Sequence, residues 1–287
     1  MPELPEVETV CRGLRPVMEG FNFTEVILNR PNLRFPFAPD FIDRIEGQTL
    51  IRLTRRAKFL QAELETGHRL YMHLGMSGRF TITQSDLPSE KPELMPGDFA
   101  IKVNTNPKHD HVIFKMSSGY TITYNDPRRF GFMELVAKDA PYRLDGLGPE
   151  PLGNDFNAPA LSTALKGRKS KIKGALLDQK IIAGLGNIYV CEALFRAGIS
   201  PLREAGALKA GEIETLTACI KDVIRDAIKA GGSSLRDFTH TDGDLGYFQH
   251  SFQVYGREGE PCPACKTPIM RITQSGRSSF YCMTCQN

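Results

Sequence analysis

Asp145-Gly146-Leu147-Gly148-Pro149-Glu150-Pro151 divides the chain into two halves of different periodicity. Glycine and proline at four of these seven positions favour neither a helix nor a strand, so the segment reads as a connection. Upstream, from about Glu25 to Val136, short apolar and β-branched runs at 59–64, 99–103, 111–114 and 121–124 are separated by Gly, Pro, Asn and Asp. That pattern predicts antiparallel strands closed into a sandwich or barrel. Downstream, Ile213, Leu216, Ile220, Val223, Ile224, Ala227 and Ile228 recur at helical spacing and stop at Gly231-Gly232. They predict one long amphipathic helix. The chain is therefore expected to be α+β, with a β domain over 1–140, a linker over 141–155, a helical domain over 156–250 and a terminal module over 251–287. A stretch between Asp86 and Lys108 breaks the strand rhythm and is expected to be a surface excursion.

The terminal module is the most specific signal. Cys262-Pro263-Ala264-Cys265 and Cys282-Met283-Thr284-Cys285 are two C-x-x-C pairs with sixteen residues between them, the spacing of a two-knuckle tetrahedral thiolate site. Four thiolates leave no open coordination position, so the expected metal is one structural zinc folding a small β-hairpin. Redox chemistry at a C-x-x-C pair is the alternative, and it leaves the second pair unexplained. Cys11, Cys191 and Cys219 fall among apolar neighbours and are expected to be reduced and buried.

Composition excludes little. A length of 287 residues suits two domains, and a net charge of +3 does not by itself establish a nucleic-acid partner. Local clusters say more: Arg52, Arg55, Arg56 and Lys58, then Arg128 and Arg129, then Lys166, Arg168, Lys169, Lys171 and Lys173. Each is either a solvated face or a phosphate-binding surface. No uninterrupted apolar segment is long enough to span a bilayer, and the first residues lack a basic-then-apolar leader, so a cytoplasmic protein without membrane contact is expected.

The chain opens Met1-Pro2-Glu3-Leu4-Pro5-Glu6. Removal of Met1 would expose a proline secondary amine beside a carboxylate. Such an amine condenses with a sugar aldehyde carbon to an iminium that is necessarily cationic, an electron sink for breaking neighbouring bonds. The alternative is that Pro2 only promotes methionine removal and Pro5 starts a helix. Val7, Val10, Cys11 and Leu14 predict that helix over residues 5 to about 18. Its positive end disfavours an ammonium, which would keep more of the Pro2 amine uncharged at neutral pH.

Taken in order, Pro2-Glu3-Leu4-Pro5-Glu6, Arg56-Ala57-Lys58, His73-Leu74-Gly75-Met76-Ser77-Gly78, Asp126-Pro127-Arg128-Arg129-Phe130-Gly131, Gly184-Leu185-Gly186-Asn187-Ile188-Tyr189 and the four-cysteine module resemble the formamidopyrimidine-DNA glycosylases, bacterial repair enzymes for oxidised purines. The resemblance runs along essentially the whole chain. It implies a β-sandwich carrying the N-terminal helix, a helix-two-turns-helix domain and a zinc-finger hairpin. It implies a monomer in the bacterial cytoplasm, on the nucleoid, acting on double-stranded DNA with an oxidised purine opposite cytosine. The implied activity is excision of 8-oxoguanine and formamidopyrimidines, followed by β- and δ-elimination through a Pro2 Schiff base.

The resemblance also implies residue roles. Pro2 is the nucleophile, Glu3 the acid that protonates the sugar ring oxygen, and Lys58 the essential lysine near sugar and phosphate. His73, Asn187 and Arg277 match phosphate ligands, Lys173 a lysine that handles the oxidised base, and Tyr247 a further phosphate contact. Met76, Arg128 and Phe130 match the residues that fill the gap left by an extruded base, with Arg128 also reading the orphaned cytosine. Glu6 and Glu192 match supporting carboxylates, and residues 241–248 match a loop that closes over the flipped base. Leu4 and the Met76/Arg128/Phe130 trio favour the oxidised-purine branch over the endonuclease VIII branch. An oxidised-pyrimidine glycosylase, and a non-catalytic zinc-ribbon nucleic-acid-binding regulator, are the alternative readings. The 86–108 stretch is longer than the usual connection of the family.

Overall fold

The computed structural model of the chain describes residues 1–84, 106–233 and 248–287. They fall into two compact units: Met1–Tyr142 with the segment that starts at Gly231, and Arg143–Ala230 with Phe248–Asn287.

The first unit is antiparallel. Helix α1 (Leu4–Met18) is followed by strands β1 (Phe23–Leu28), β2 (Leu50–Arg56), β3 (Phe59–Leu64), β4 (Arg69–His73), β5 (Arg79–Gln84), β6 (Asp110–Met116), β7 (Tyr120–Asn125) and β8 (Phe132–Val136). They form two four-stranded sheets, ordered β1-β6-β7-β5 and β2-β3-β4-β8. Alternation places Leu53, Leu60, Ala62, Leu70 and Met72 of one sheet, and Phe80, Val112, Phe114 and Ile122 of the other, in a single core cluster. The apolar stripe of α1, from Val7 to Met18, joins the same cluster, which makes the unit a sandwich with a helix laid against one sheet. Hydrogen bonds fix that helix: Arg15 Nε donates to the Leu53 carbonyl on β2 at 2.8 Å. The strand runs 59–64, 111–114 and 121–124 lie in β3, β6 and β7, whereas 99–103 lies outside the described residues.

The second unit holds α2 (Ala158–Leu165), α3 (Ile172–Leu176), α4 (Asn187–Arg196) and α5 (Ala210–Lys229), then a hairpin of β9 (Met270–Gln274) and β10 (Arg277–Tyr281). Helix α5 is the long amphipathic helix of the sequence pattern, and Ile213, Leu216, Ile220, Val223, Ile224 and Ala227 are its buried stripe. Between β9 and β10, Ser275 and Gly276 both have positive φ, +48° and +74°. A two-residue hairpin loop of that kind matches the right-handed twist of its strands. Among the described residues no helix is long and apolar enough to cross a membrane.

Candidate active site and DNA-binding residues

The head of α1 is built around two buried carboxylates. Glu3, at the N-cap, and Glu6, in the first turn, are 3% and 2% exposed, and Pro2 is buried beside them. The Glu3 amide donates to Glu6 Oε2 at 2.8 Å, and Glu6 Oε1 accepts from the Ser233 amide at 2.8 Å and its hydroxyl at 2.9 Å. Glu6 thus satisfies an orphan donor of the helix start and anchors the chain where it re-enters this unit.

Lys58 is buried, with 8% exposure, in the two-residue turn joining β2 to β3. The turn requires Ala57 at φ +52°, and Arg55 Nη1 donates to the Ala57 carbonyl at 3.0 Å. Arg55 Nε also donates to Glu8 Oε2 at 2.9 Å, which links the Lys58 turn to α1 one helical turn past its start. Burial pushes the Glu8 carboxyl up, but hydrogen bonds from Arg55 and Arg12 outweigh it and hold the group below its ordinary value.

His73 ends β4 and faces Phe59 and Phe132 across the sheet, stacked on Phe132 with ring centroids 5.2 Å apart. Its Nδ1 accepts from the Gly75 amide at 3.0 Å, so the neutral ring carries its proton on Nε2. The next two turns are packed backbone against backbone. A Cβ at Gly75, whose φ is +65°, would lie 2.3 Å from the Gly131 nitrogen, and a Cβ at Gly131 would lie 1.8 Å from the Tyr124 hydroxyl. Glycine is required at both positions for the turns to meet. These turns carry Met76, half-buried, and the exposed Arg128 and Phe130, whose guanidinium and ring stack at 4.9 Å.

Beneath them lies Asp126, fully buried. Its Oδ1 accepts from the Ser77 hydroxyl at 2.6 Å and the Arg128 amide at 3.3 Å, and its Oδ2 from the Gly131 amide at 2.9 Å and the Tyr124 hydroxyl at 3.3 Å. Burial, then the Asp126 charge, push the Tyr124 hydroxyl well above its ordinary range, so it stays a donor. Asp126 opens the 126–131 motif, where the sequence alone gives it no role. Its signal is the Asx position of a tight turn, which shows a local bond to the chain but not the long-range ones.

In the second unit, Lys173, Asn187 and Arg277 are brought to one hairpin. Lys173 is 1% exposed, and its Nζ donates to the Ser278 carbonyl at 2.7 Å and the Ser279 hydroxyl at 2.6 Å. Asn187, first residue of α4 after Gly186, donates from Nδ2 to the same carbonyl at 2.9 Å. Arg277 is exposed at the start of β10. Glu192 on α4 is fully buried and accepts from the amides of Gln253, Val254 and Tyr255 at 2.9, 3.0 and 2.8 Å. Burial raises its carboxyl above the ordinary value against the pull of those three donors. Tyr247, and all but Phe248 of the 241–248 segment, lie outside the described residues, as does most of the 86–108 stretch.

The Sγ atoms of Cys262, Cys265, Cys282 and Cys285 lie within 4.8 Å of one another, with Cys262–Cys285 at 3.9 Å and Cys265–Cys282 at 3.4 Å. A thiolate tetrahedron with bonds of about 2.3 Å has edges of about 3.8 Å, so the donor set fits one zinc with every position filled by protein. Hydrogen bonds from Thr267, side chain and backbone, draw the Cys265 thiol down to about 6, whereas the neighbouring Cys265 thiol pushes Cys285 up to about 12.

Family models match three consecutive stretches: the formamidopyrimidine-DNA glycosylase N-terminal domain at residues 1–133, the H2TH domain of the same family at 147–239, and a zinc finger found in FPG and IleRS at 259–287. The chain belongs to the formamidopyrimidine-DNA glycosylase family. It is 52% identical to the formamidopyrimidine-DNA glycosylase of Rhodopseudomonas palustris and 55% to that of Ruegeria pomeroyi, with the whole of each chain covered. Among solved structures, the MutM (FPG) protein of Thermus thermophilus matches with a TM-score of 0.83 at 38% identity, covering 99% of this chain and 98% of the other. A Lactococcus lactis FPG complex with Fapy-dG-containing DNA matches with a TM-score of 0.85 at 35% identity, covering 99% of each. This member of the family is accordingly a DNA repair glycosylase for damaged bases, with one structural zinc in its four-cysteine module.

Proposed function

We propose that this glycosylase excises 8-oxoguanine and formamidopyrimidines paired with cytosine in duplex DNA, then cuts the strand by β- and δ-elimination from a Schiff base on Pro2. The head of α1 carries this reading. Glu3 is buried at the N-cap and adjacent in the chain to the proposed nucleophile, which supports the acid role, and Glu6, bonded to the Glu3 amide and to Ser233, supports it from the first turn. With Met1 removed, the Pro2 nitrogen attacks the sugar carbon that bears the damaged base. Glu3 protonates the ring oxygen as the ring opens, and the base departs to leave a cationic iminium. The iminium acidifies the neighbouring C–H; its proton is lost to solvent as the C–H electrons expel the 3′ phosphate, and loss of a second proton along the conjugated chain expels the 5′ phosphate.

The other residues serve that step. Lys58, an ammonium in a rigid turn, neutralises charge at the sugar and phosphate. His73, through Nε2–H, Asn187 and Arg277 hold the strand, Tyr247 adds a contact, and Lys173 acts on the lesion side through the hairpin it grips. Met76, Arg128 and Phe130 fill the gap left by the extruded base, and Arg128 presents its donors to the orphaned cytosine. The enzyme acts as a monomer on nucleoid DNA in the cytoplasm. Similar proteins solved with DNA support the substrate: one MutM structure holds carbocyclic 8-oxo-G-containing DNA.

Borohydride trapping on a duplex with 8-oxoguanine opposite cytosine tests the reading. A covalent adduct mapping to Pro2, absent when Met1 is retained, is expected, and Glu3→Gln should bind this duplex but not excise. An adduct on Lys58, or faster excision of oxidised pyrimidines than of 8-oxoguanine, would overturn it.

A further inference from the structure

The three residues proposed to fill the gap share one support. Met76 adjoins Ser77, whose hydroxyl reaches Asp126 Oδ1 at 2.6 Å. Arg128 reaches the same oxygen through its own amide at 3.3 Å, and Phe130 adjoins Gly131, whose amide reaches Oδ2 at 2.9 Å. The Arg128 amide also lies 3.3 Å from the Ser77 hydroxyl, so the two turns are bonded to each other as well as to the carboxylate. Tyr124 supplies the fourth donor, and His111 Nε2 holds the Asp126 backbone carbonyl at 2.9 Å.

We infer that Asp126 is a positioning residue that locks the turns bearing Met76, Arg128 and Phe130 into one rigid wedge, and so governs base extrusion and recognition of the opposite base. This rests on the gap-filling role proposed above. The physical argument is one of donors. A carboxylate with two donors on each oxygen can bind two turns far apart in sequence, whereas an amide of the same shape presents N–H to one pair of them. A side chain that must enter a duplex works only if its base is fixed. Misplacement by about 1 Å costs on the order of a hundredfold in rate.

The test compares Asp126→Asn, Ser77→Ala and the triple Met76→Ala/Arg128→Ala/Phe130→Ala with wild type on two substrates: 8-oxoguanine opposite each of the four bases, and a duplex carrying a preformed abasic site. Asp126→Asn is expected to lower kcat/KM for excision opposite cytosine by about ten- to a hundredfold and to flatten the opposite-base ranking. Cleavage and borohydride trapping at the abasic site, where no base remains to extrude, should stay within about threefold. Ser77→Ala removes one tether while leaving the carboxylate, and gives a smaller change of the same kind should Asp126→Asn fail to fold. Folded variants that keep wild-type excision and ranking, while the triple variant loses both, would overturn the positioning role alone. Undiminished excision by the triple variant would overturn the gap-filling role, and this inference with it. Equal losses on both substrates would mark Asp126 as a general stability residue and also overturn the inference.

Discussion

Ala57, the residue immediately before Lys58, holds φ +52°, a conformation that costs an L side chain on the order of 1 kcal/mol. Arg55 closes the turn through the Ala57 carbonyl and ties it to Glu8, so the strain is held in place by a specific neighbour. A specific neighbour also fixes the exposed Arg128, through Phe130. A guanidinium 4.9 Å above a ring is held by a cation–π contact without being buried. Arg128→Ala is expected to remove about 1–3 kcal/mol of discrimination between cytosine and other opposite bases. Pro2 trapping on abasic DNA should persist. Excision rates against all four opposite bases measure this, and an unchanged ranking would take the reading role from Arg128.

At the scale of elements, α1 and α5 each carry in the first turn a carboxylate, Glu6 or Glu212, that accepts from the N-cap amide. In α5 the Lys209 amide donates to Glu212 Oε2 at 2.7 Å, and Arg203 bonds both oxygens of that carboxylate. The Arg203 guanidinium beside it, then the Lys209 amide, hold Glu212 down at about 2 against an ordinary 4.5. A carboxyl lowered in the folded state contributes stability that is complete above its unfolded value and lost as pH falls through the folded one. Between about pH 5 and pH 2, wild type should therefore lose more thermal stability than Glu212→Gln. Melting temperatures across that window check it, and parallel curves would show that the pair contributes nothing. Glu212 is partly exposed, so solvent screening keeps the difference small.

At the scale of the molecule, each unit has its own supports, and the zinc module has the smallest. Its fully buried apolar residues are Val254, Cys262, Ile269 and Cys282, packed on Cys191 and Phe195 of α4 with Tyr255 and Phe280 partly buried against them, a small core for a hairpin without metal. Cys265→Ser or a strong chelator should therefore unfold residues 251–287. Without the hairpin the Lys173 ammonium and the Asn187 amide lose their shared acceptor, the Ser278 carbonyl, and Arg277 loses its platform. The expected result is early proteolysis in this segment and loss of DNA binding, with the sheets of the first unit intact. A zinc-free protein that binds DNA normally would contradict it.

The sequence by itself determined what depends on local periodicity and spacing. Apolar alternation in 59–64 and 121–124 marked β3 and β7, helical spacing marked α1 and α5, and two C-x-x-C pairs marked the zinc cage, because each pattern records which face its own segment buries. The ordered motifs marked the family. Only the tertiary structure decided which polar groups meet. Asp126 reaches Ser77 across 49 positions, Lys173 reaches Ser279 across 106, and Glu6 reaches Ser233 across 227. A buried carboxylate or ammonium must find its partners wherever the packed sheets and helices bring donors and acceptors, since leaving it unpaired would cost more than any local preference supplies. Such partners leave no period in the sequence. That is why the sequence places Lys173 in a basic run, and the resemblance at the oxidised base, without showing that it is buried and bonded to the hairpin.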